Sequence, residues 1–349
     1  TINNLYQSSS TIVGLFCKTK NAKLENIIIV NPNVSTNSNF ASALCAVASS
    51  PDNNGYIAQC HIVGGQINGK DRVGGLVGLN GDNIETGIKI INCTCSATIT
   101  ATETYAGGIA GYCYGSYSEI SQCRFNGTLR NPRTDNNTFN CYGGIVGFAA
   151  AGANITKCKF DGTIEIKRQR AIGGIVGAGD GILIISECES SGTVIGNNSV
   201  CGIIGAQDAG TLTISNCINK STVIADCQYN TFNLPPWKAA GISSYFSSSN
   251  RTVINTLSIG QVTSINTPSS PLPVLNSFNN YNYNNITDCY YCSELTGQTT
   301  GIQGTNKTVA QLKADPIGSG IFANWSTGIW TKDENNMPKL RNIPNFPTF

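Results

Sequence analysis

The sequence has little charge, one histidine and no long apolar run. Only 12% of its 349 residues are charged, and the formal net charge is +2. Such a balance gives no electrostatic reason to expect a nucleic acid or a membrane surface as partner. No apolar segment approaches the roughly 18 residues that a membrane-spanning helix needs. The lone His61 leaves histidine-based metal sites and a Ser-His-Asp triad without support, and we expect no cofactor.

Methionine is equally scarce, whereas cysteine is not. The chain starts at Thr1 without an initiator methionine, and we interpret it as the mature form of a secreted protein. Fifteen cysteines are plausible for an extracellular protein and too many for a typical cytosolic one. Because fifteen is odd, at least one cysteine is unpaired or bonded to another chain. The 38 glycines favour strands and turns over helices.

Three short phrases recur in a fixed order along the chain. The first contains two glycines and the second is Ile-x-x-Cys, about 15 residues later. The third is a small residue, then Thr or Gln, then an aliphatic residue. The aliphatic residues of the third phrase are Ile67, Ile99, Leu129, Ile164, Val194 and Val223, which are 32, 30, 35, 30 and 29 residues apart. A period near 30 with strand-like segments predicts a solenoid.

The alternation of side chains orients one coil. Counting from Cys123, every second residue up to Leu129 is apolar or small, whereas the residues between them are polar. This places the cysteine and the aliphatic residue on the core face of strands. Ile120 has the wrong parity to share that face, so we expect a corner between Ile120 and Cys123. The residue before each cysteine of the phrase is polar in every copy.

The sequence therefore predicts an all-β protein, a parallel β-solenoid of about eight to nine coils of roughly 30 residues. We expect three strands and three corners per coil. Residues 1–10 are predicted to be an N-terminal extension and residues 11–295 the solenoid, with degenerate coils to about 70. Residues 296–349 are predicted to form a small cap with a short helix near 308–314 and a Pro-rich tail.

The repeated phrases resemble the GLUG repeat, which is named for the pattern seen here as "GGLVG" at 74–78. The resemblance covers about residues 70–295. The segment with Tyr290, Leu312, Trp325 and Trp330 also looks like the one that often follows such repeats. GLUG repeats occur in large secreted and cell-surface proteins, many of them adhesin-like. The resemblance thus implies a β-solenoid outside the cell and supplies no catalytic residue.

The cysteines fall into two groups. A core column is predicted from the repeated phrase, and it consists of Cys60, Cys93, Cys123, Cys158, Cys188, Cys217 and Cys289, with Thr256 in one copy. Buried thiols, disulfides between stacked coils and, with less support, a metal row remain open for this column. The disulfide candidates outside the column are Cys17, Cys45, Cys95, Cys113, Cys141, Cys201, Cys227 and Cys292.

Asparagine in Asn-x-Ser/Thr sequons marks candidate glycosylation sites. These are Asn33, Asn92, Asn126, Asn136, Asn154, Asn197, Asn219, Asn250, Asn285, Asn306 and Asn324. A row of Thr and Gln from Gln66 to Gln261 is interpreted as a hydroxyl ladder between strands rather than an ice-binding surface.

Three functions remain open. The first is a non-enzymatic structural glycoprotein that assembles head to tail with itself through its termini into a fibril or coat, with no nucleic acid and no membrane span. The second is an adhesin that binds a glycan or matrix partner through corner loops 130–141, 224–238 and 264–285. The third is a carbohydrate-active enzyme, for which the candidate acids are Asp161, Glu165, Glu187 and Glu189.

Overall fold

A computed structural model of the chain describes most of its residues. These are residues 1–9, 11–81, 86–114, 118–133, 140–167, 171–226, 238–246, 250–266, 274–276, 285–299 and 303–347.

The chain winds into a parallel β-solenoid with five strands per turn, so its strands form five parallel sheets. We name the sheets A to E in chain order from the cysteine phrase. Six turns, from Val73–Gly74 to Val262–Ile265, have a strand in every sheet. A seventh turn has an isolated bridge at Ala41 in place of its sheet C strand. Incomplete turns continue the ladders at both ends, so the solenoid has about seven turns and its five sheets contain seven to eleven strands each.

The ladders keep equivalent residues in register from one turn to the next. Sheet A contains Ile2–Asn3, Ile28–Val30, His61–Val63, Thr94–Cys95, Arg124–Phe125, Lys159–Phe160, Glu189–Ser190, Ile218–Asn219, Leu257–Ser258, Tyr290–Tyr291 and Thr305–Asn306. Sheet B contains Tyr6–Ser9, Asn33–Thr36, Gln66–Gly69, Thr98–Ala101, Thr128–Asn131, Thr163–Ile166, Thr193–Gly196, Thr222–Asp226 and Val262–Ile265.

The glycine-rich phrase supplies the next two sheets. Sheet C contains Val73–Gly74, Tyr105–Gly107, Cys141–Gly143, Ala171–Gly173, Val200–Cys201, Lys238–Ala240 and Val274–Asn276. Sheet D contains Phe16–Lys20, Cys45–Ser49, Val77–Asn80, Ala110–Tyr114, Val146–Ala150, Val176–Gly179, Ile204–Gln207 and Ser243–Phe246. Sheet E contains Lys23–Glu25, Tyr56–Ala58, Lys89–Ile91, Glu119–Ser121, Ala153–Thr156, Ile182–Ser186, Thr211–Ser215, Asn250–Ile254 and Asn285–Thr287.

The prediction of a parallel β-solenoid is confirmed, but the expectation of three strands per coil is wrong. The glycine-rich phrase folds back on itself and forms two strands rather than one. A Cβ atom on Gly144 would lie 2.1 Å from the carbonyl oxygen of Gly174, and one on Gly147 would lie 2.4 Å from that of Gly111. Only glycine permits backbones this close.

The predicted corner between Ile120 and Cys123 is present, and it explains the polar residue before each cysteine. Gln122 has a positive φ of 55°. The equivalent residues also adopt the left-handed conformation, and these are Asn26, Gln59, Asn92, Lys157, Glu187, Asn216, Asn255 and Asp288. This single residue turns the chain from sheet E into sheet A.

Residues 1–10 do not form a separate extension. Ile2–Asn3 pairs with sheet A and Tyr6–Ser9 pairs with sheet B, in parallel register. The first nine residues therefore belong to the first layer of the solenoid, and residue 10 lies outside the described part. The expectation missed this pairing because the segment lacks the glycine and cysteine phrases.

The C-terminal segment, residues 303–347, begins at the end of the solenoid, where Thr305–Asn306 adds the last strand of sheet A. The rest of the segment lies along the side of the solenoid. It contains the helix Val309–Ala314, a 3-10 turn at Gly320–Phe322 and an antiparallel pair, Trp330–Lys332 with Pro338–Leu340. A shorter helix, Ser293–Thr296, precedes it. Thr308 and Gln311 form a capping box at the predicted helix start. None of the described helices is long and apolar enough to cross a membrane.

An apolar cluster fixes the C-terminal segment to the outer face of sheet A. Trp325 and Trp330 pack with ring centroids 4.2 Å apart. They share this cluster with Ile218, Leu257 and Tyr290, which replace the polar outward residues of earlier sheet A strands. Further along, the amide of Asn342 donates to Glu187 Oε2 at 2.7 Å. The segment therefore runs back along its own solenoid.

Candidate functional site

The column cysteines occupy equivalent buried positions directly after the left-handed corner. Each column Sγ lies 3.2–3.4 Å from the carbonyl oxygen two residues earlier, which can accept its hydrogen. Thr256 takes the same position in one turn, and its hydroxyl donates to the Ile254 carbonyl at 3.0 Å. The position therefore requires a small side chain with one donor, which gives the column a structural role.

The structure does not bring the other cysteines into disulfide bonds. No disulfide joins the fourteen cysteines that it describes, and Cys227 lies outside them. In the ladders Cys95 pairs with Ile62 and Phe125, and Cys113 pairs with Asn80 and Ala149. Stacking thus places noncysteine residues beside these two thiols. Burial raises the pKa of both to about 12 and keeps them protonated at neutral pH.

No metal site emerges from the described residues, since no group of three or more His, Cys, Asp and Glu side chains is placed to hold an ion. His61 is buried, its Nδ1 lies 2.9 Å from Thr94 Oγ1, and burial lowers its pKa.

The four candidate acids do not form a pair across a cleft. Asp161 is held by the guanidinium of Arg124 through two hydrogen bonds, of 2.9 and 2.7 Å. Glu189 lies 3.3 Å from the Nζ atoms of Lys159 and Lys220. Glu187 is at a corner and accepts from Asn342, whereas Glu165 lies on sheet B beside Arg130. Asp161, Glu187 and Glu189 are thus engaged by cations or by an amide. Glu165 lies on a different sheet.

The sequons differ widely in accessibility. Seven asparagines are exposed, and these are Asn33, Asn126, Asn154, Asn250, Asn285, Asn306 and Asn324. Asn92 is half-buried, and Asn136 lies outside the described residues. Asn197 and Asn219 are buried, and Asn219 is fully enclosed against Ser258. A glycan on Asn219 is incompatible with this fold, which corrects the expectation for that sequon.

The corner loops proposed for adhesion fall largely outside the described part of the chain. Residues 134–139, 227–237, 267–273 and 277–284 are not described. That interpretation stays a prediction.

The first and last layers expose apolar side chains. The sheets begin with strands that are paired on one side only, such as Phe16–Lys20 and Lys23–Glu25. Leu24 is half-buried, although its ladder partner Ile57 is fully buried. Six large hydrophobic side chains are exposed among the described residues: Tyr6 and Phe16 in the first layer, Ile265 and Leu295 at the other end, and Ile182 and Ile184 on sheet E.

An aromatic cluster outside the main core was missed by sequence reasoning. Because the glycine-rich phrase folds back, the outer faces of sheets C and D turn toward each other. Tyr105 on sheet C packs against Tyr112 and Phe148 on sheet D, with ring centroids 5.0 and 5.1 Å apart. Tyr114 stacks beside Tyr112 at 6.3 Å. We call Tyr105, Tyr112, Tyr114 and Phe148 the aromatic cleft.

The sequence feature that could have indicated this cleft is the concentration of tyrosines in one coil. Tyr105, Tyr112 and Tyr114 all fall in one coil, whereas Ala171, Ala178 and Ala206 line the same seam further along. The seam is closed where residues are small, and aromatic rings fill it where they are large.

The cleft also contains a paired buried charge. Asp71 accepts hydrogen bonds from Thr104 and from the guanidinium of Arg72, the latter at 2.8 Å. Arg72 has a positive φ of 49°, and its guanidinium lies 5.3 Å from the ring centroid of Phe40 and 5.1 Å from that of Tyr112. Burial raises the pKa of Asp71, and the Arg72 charge opposes that shift.

Comparisons with known proteins agree with this architecture. The GLUG motif matches residues 140–165, which contain one glycine-rich phrase and the following cysteine and Thr phrases. The fold and motif together confirm the resemblance to GLUG-repeat β-solenoid proteins, which are typically extracellular. No curated protein matches the chain.

One solved structure is similar at a low level. It is a Bacteroides ovatus protein that is a candidate immunoglobulin A1 protease, with 17% sequence identity and a TM-score of 0.39. The alignment covers 91% of this chain and 76% of the other. At this level of similarity the comparison carries no argument about activity.

Proposed function

We propose that the chain is a non-enzymatic, extracellular structural glycoprotein that associates end to end with further copies of itself into a filament or surface coat. The observation that carries this proposal is the open edge of the first layer, whose described strands are paired on one side only. Unpaired strand edges are templates for further pairing, and the first layer combines them with half-buried apolar side chains.

The termini take part differently from the sequence-based expectation. Residues 1–9 lie within the ladders of their own chain, and residues 342–347 run along its own sheet A. Both described segments therefore pack against their own solenoid. The association we propose uses the end layers themselves, in which a last layer stacks on the first layer of the next copy. Contacts of this head-to-tail type that do not close into a ring produce filaments.

The side surfaces support an extracellular role. Exposed sequons lie on sheets A, B and E and on the C-terminal segment, where glycans have room. The four acids considered for catalysis supply no free pair, which favours a structural role over turnover.

The test is electron microscopy and light scattering of the purified chain, with two lysine variants. Leu24→Lys places a charge on the open first layer. Ile184→Lys places one on a sheet E strand in the middle of the solenoid, where the side chain is 38% exposed. We expect rods joined end to end in the wild type and in Ile184→Lys, and single rods in Leu24→Lys. Dispersed single rods in the wild type at all accessible concentrations would reject end-to-end assembly.

A further inference from the structure

The aromatic cleft has a buried apolar base and a half-buried aromatic rim. Its three tyrosines are half-buried, so part of each ring remains accessible while the rest is fixed by Phe148 and by neighbouring rings. Rigid aromatic side chains with a polar end present both a flat apolar face and a hydroxyl. Sites for small ligands combine such surfaces with a few placed polar groups.

Most charges around the cleft are already engaged, and Asp180, whose charge acts on Tyr112, accepts the Ala151 N–H at 2.6 Å. Asp71 and Arg72 neutralise each other at 2.8 Å, and Arg72 is further enclosed by Phe40 and Tyr112. At the rim, Glu103 pairs with Lys70 at 3.1 Å and lies 3.8 Å from Arg133. An anionic or cationic ligand would have to compete with these internal pairs. An uncharged ligand with both C–H faces and hydroxyl groups matches what remains.

The hydroxyls of Tyr105 and Tyr112 stay protonated over the physiological range. Burial raises the pKa of Tyr112 to about 12 and also raises that of Tyr105. Each hydroxyl is therefore available both to donate and to accept a hydrogen bond.

None of the seven exposed sequons among the described residues lies on a strand of sheet C or D. They occur on strands of sheets A, B and E, at the corner between sheets A and B, and on the C-terminal segment. Glycans on those asparagines would leave the described strands of the C–D seam accessible.

We propose that the aromatic cleft binds a neutral glycan. The rings of Tyr105, Tyr112 and Tyr114 contact the C–H faces of the sugar, and their hydroxyls exchange hydrogen bonds with the sugar hydroxyls. This binding function is separate from end-to-end assembly and adds to it, because the cleft lies on the side of the solenoid and not on an end layer.

The experiment uses the full chain on an array of immobilised neutral and anionic oligosaccharides, in 50 and 500 mM salt. We expect retention on neutral glycans at both salt concentrations. Tyr112→Ala and Tyr114→Ala should each weaken binding by tenfold or more, and Tyr105→Phe should weaken it less. Ile182→Ala is the control, because Ile182 is 65% exposed on sheet E in the middle of the solenoid, and it should bind as the wild type.

Three results would overturn the proposal. These are no retention on any glycan, retention on anionic glycans alone with loss at high salt, and wild-type binding by a folded Tyr114→Ala variant. Tyr114 decides the outcome if Tyr112→Ala fails to fold, since it stacks on Tyr112 at the edge of the cluster. Retention on an immobilised peptide library in the absence of glycan binding would assign the cleft to a protein partner instead.

Discussion

At the scale of single residues, the repeated phrases reflect what the bends of the chain require rather than a repeated binding surface. The glycines at 143, 144 and 147 each face backbone atoms that leave no room for a Cβ atom. The polar residue before the cysteine adopts positive φ, where asparagine is tolerated better than branched or bulky residues. The repetition of these phrases therefore records the repeated bends of the chain.

Gly144 gives a direct test of this interpretation. A Cβ atom there would lie 2.1 Å from the Gly174 carbonyl oxygen and 2.5 Å from the Phe160 ring. Because backbone on the next turn cannot move aside alone, Gly144→Ala should lower the free energy of unfolding by about 3 kcal/mol or more. Urea denaturation followed by circular dichroism measures the change.

Gly328→Ala is the matched control for that experiment. Its nearest neighbour to an added Cβ atom is Ser326 Oγ at 3.5 Å, an ordinary contact. Its stability should stay within about 0.5 kcal/mol of the wild type, as for most surface substitutions. Equal effects of the two substitutions would contradict the close-approach argument.

At the scale of elements, the C-terminal segment explains a change of residue type along sheet A. The outward position is Thr94, Arg124, Lys159 and Glu189 in four successive turns, and then Ile218, Leu257 and Tyr290. The change to apolar residues begins where the segment with Trp325 and Trp330 covers the sheet. Burial of this cluster holds the segment in place. Hydrogen bonds to the solenoid, such as that from Trp325 Nε1 to the Asp288 carbonyl oxygen at 3.0 Å, add to this attachment.

Trp330 is the residue at which this attachment can be broken. Its Nε1 donates to Asn216 Oδ1 at 3.1 Å, and its ring packs on Trp325. Trp330→Ala should cost about 3–5 kcal/mol within the segment and release it before the solenoid unfolds. Limited trypsin digestion with mass spectrometry should then show early cleavage at Lys313 and Lys332.

Phe346→Ala serves as the control from the same segment, because the described contact of its ring is with Arg124, 5.8 Å away. It should leave the digestion pattern unchanged. If Trp330→Ala still unfolds in one transition with the solenoid, the segment is an integral part of the core and the argument from the cluster is wrong.

Part of this fold could be predicted from the sequence because two sequence signals depend only on neighbouring residues. The alternation after Cys123 identified the core face, and the polar residue before it marked a corner. The split of "YGGIVG" into two strands was not predictable in this way, since it depends on contacts between Gly144 and Gly174 on different turns. The aromatic cleft was missed for the same reason. Tyr105 and Tyr112 become neighbours only after the chain folds back between sheets C and D.

At the scale of the whole molecule, the stacking of turns buries many thiols, both in the cysteine column and on other strands. Every described cysteine except Cys17 is buried. Removal of a thiolate from water is unfavourable, so burial raises the pKa of Cys45 to about 11 and that of Cys95, Cys113 and Cys289 to about 12. In an unfolded chain the same thiols ionise near pH 8.5.

These raised pKa values predict that the protein loses stability in alkali. Above about pH 8.5 the unfolded chain releases thiol protons that the folded chain retains, so unfolding becomes more favourable as pH rises. The contribution is complete below that pH and is lost progressively toward pH 11–12. Each thiol supplies about 1.4 kcal/mol per pH unit in this window, so these four alone contribute about 5.6 kcal/mol per unit.

Urea denaturation at pH 8, 9 and 10 under reducing conditions measures that slope, and two alanine variants assign it. Cys113→Ala removes one buried thiol and should reduce the slope by about 1.4 kcal/mol per pH unit, whatever it does to stability at pH 8. Cys17→Ala removes the exposed thiol and should leave the slope unchanged. A slope that both variants reduce equally, or that neither reduces, would mean that groups other than the buried thiols set the alkaline limit. The comparison therefore isolates the contribution of buried thiols such as Cys113, whose pKa is raised only while the solenoid is folded.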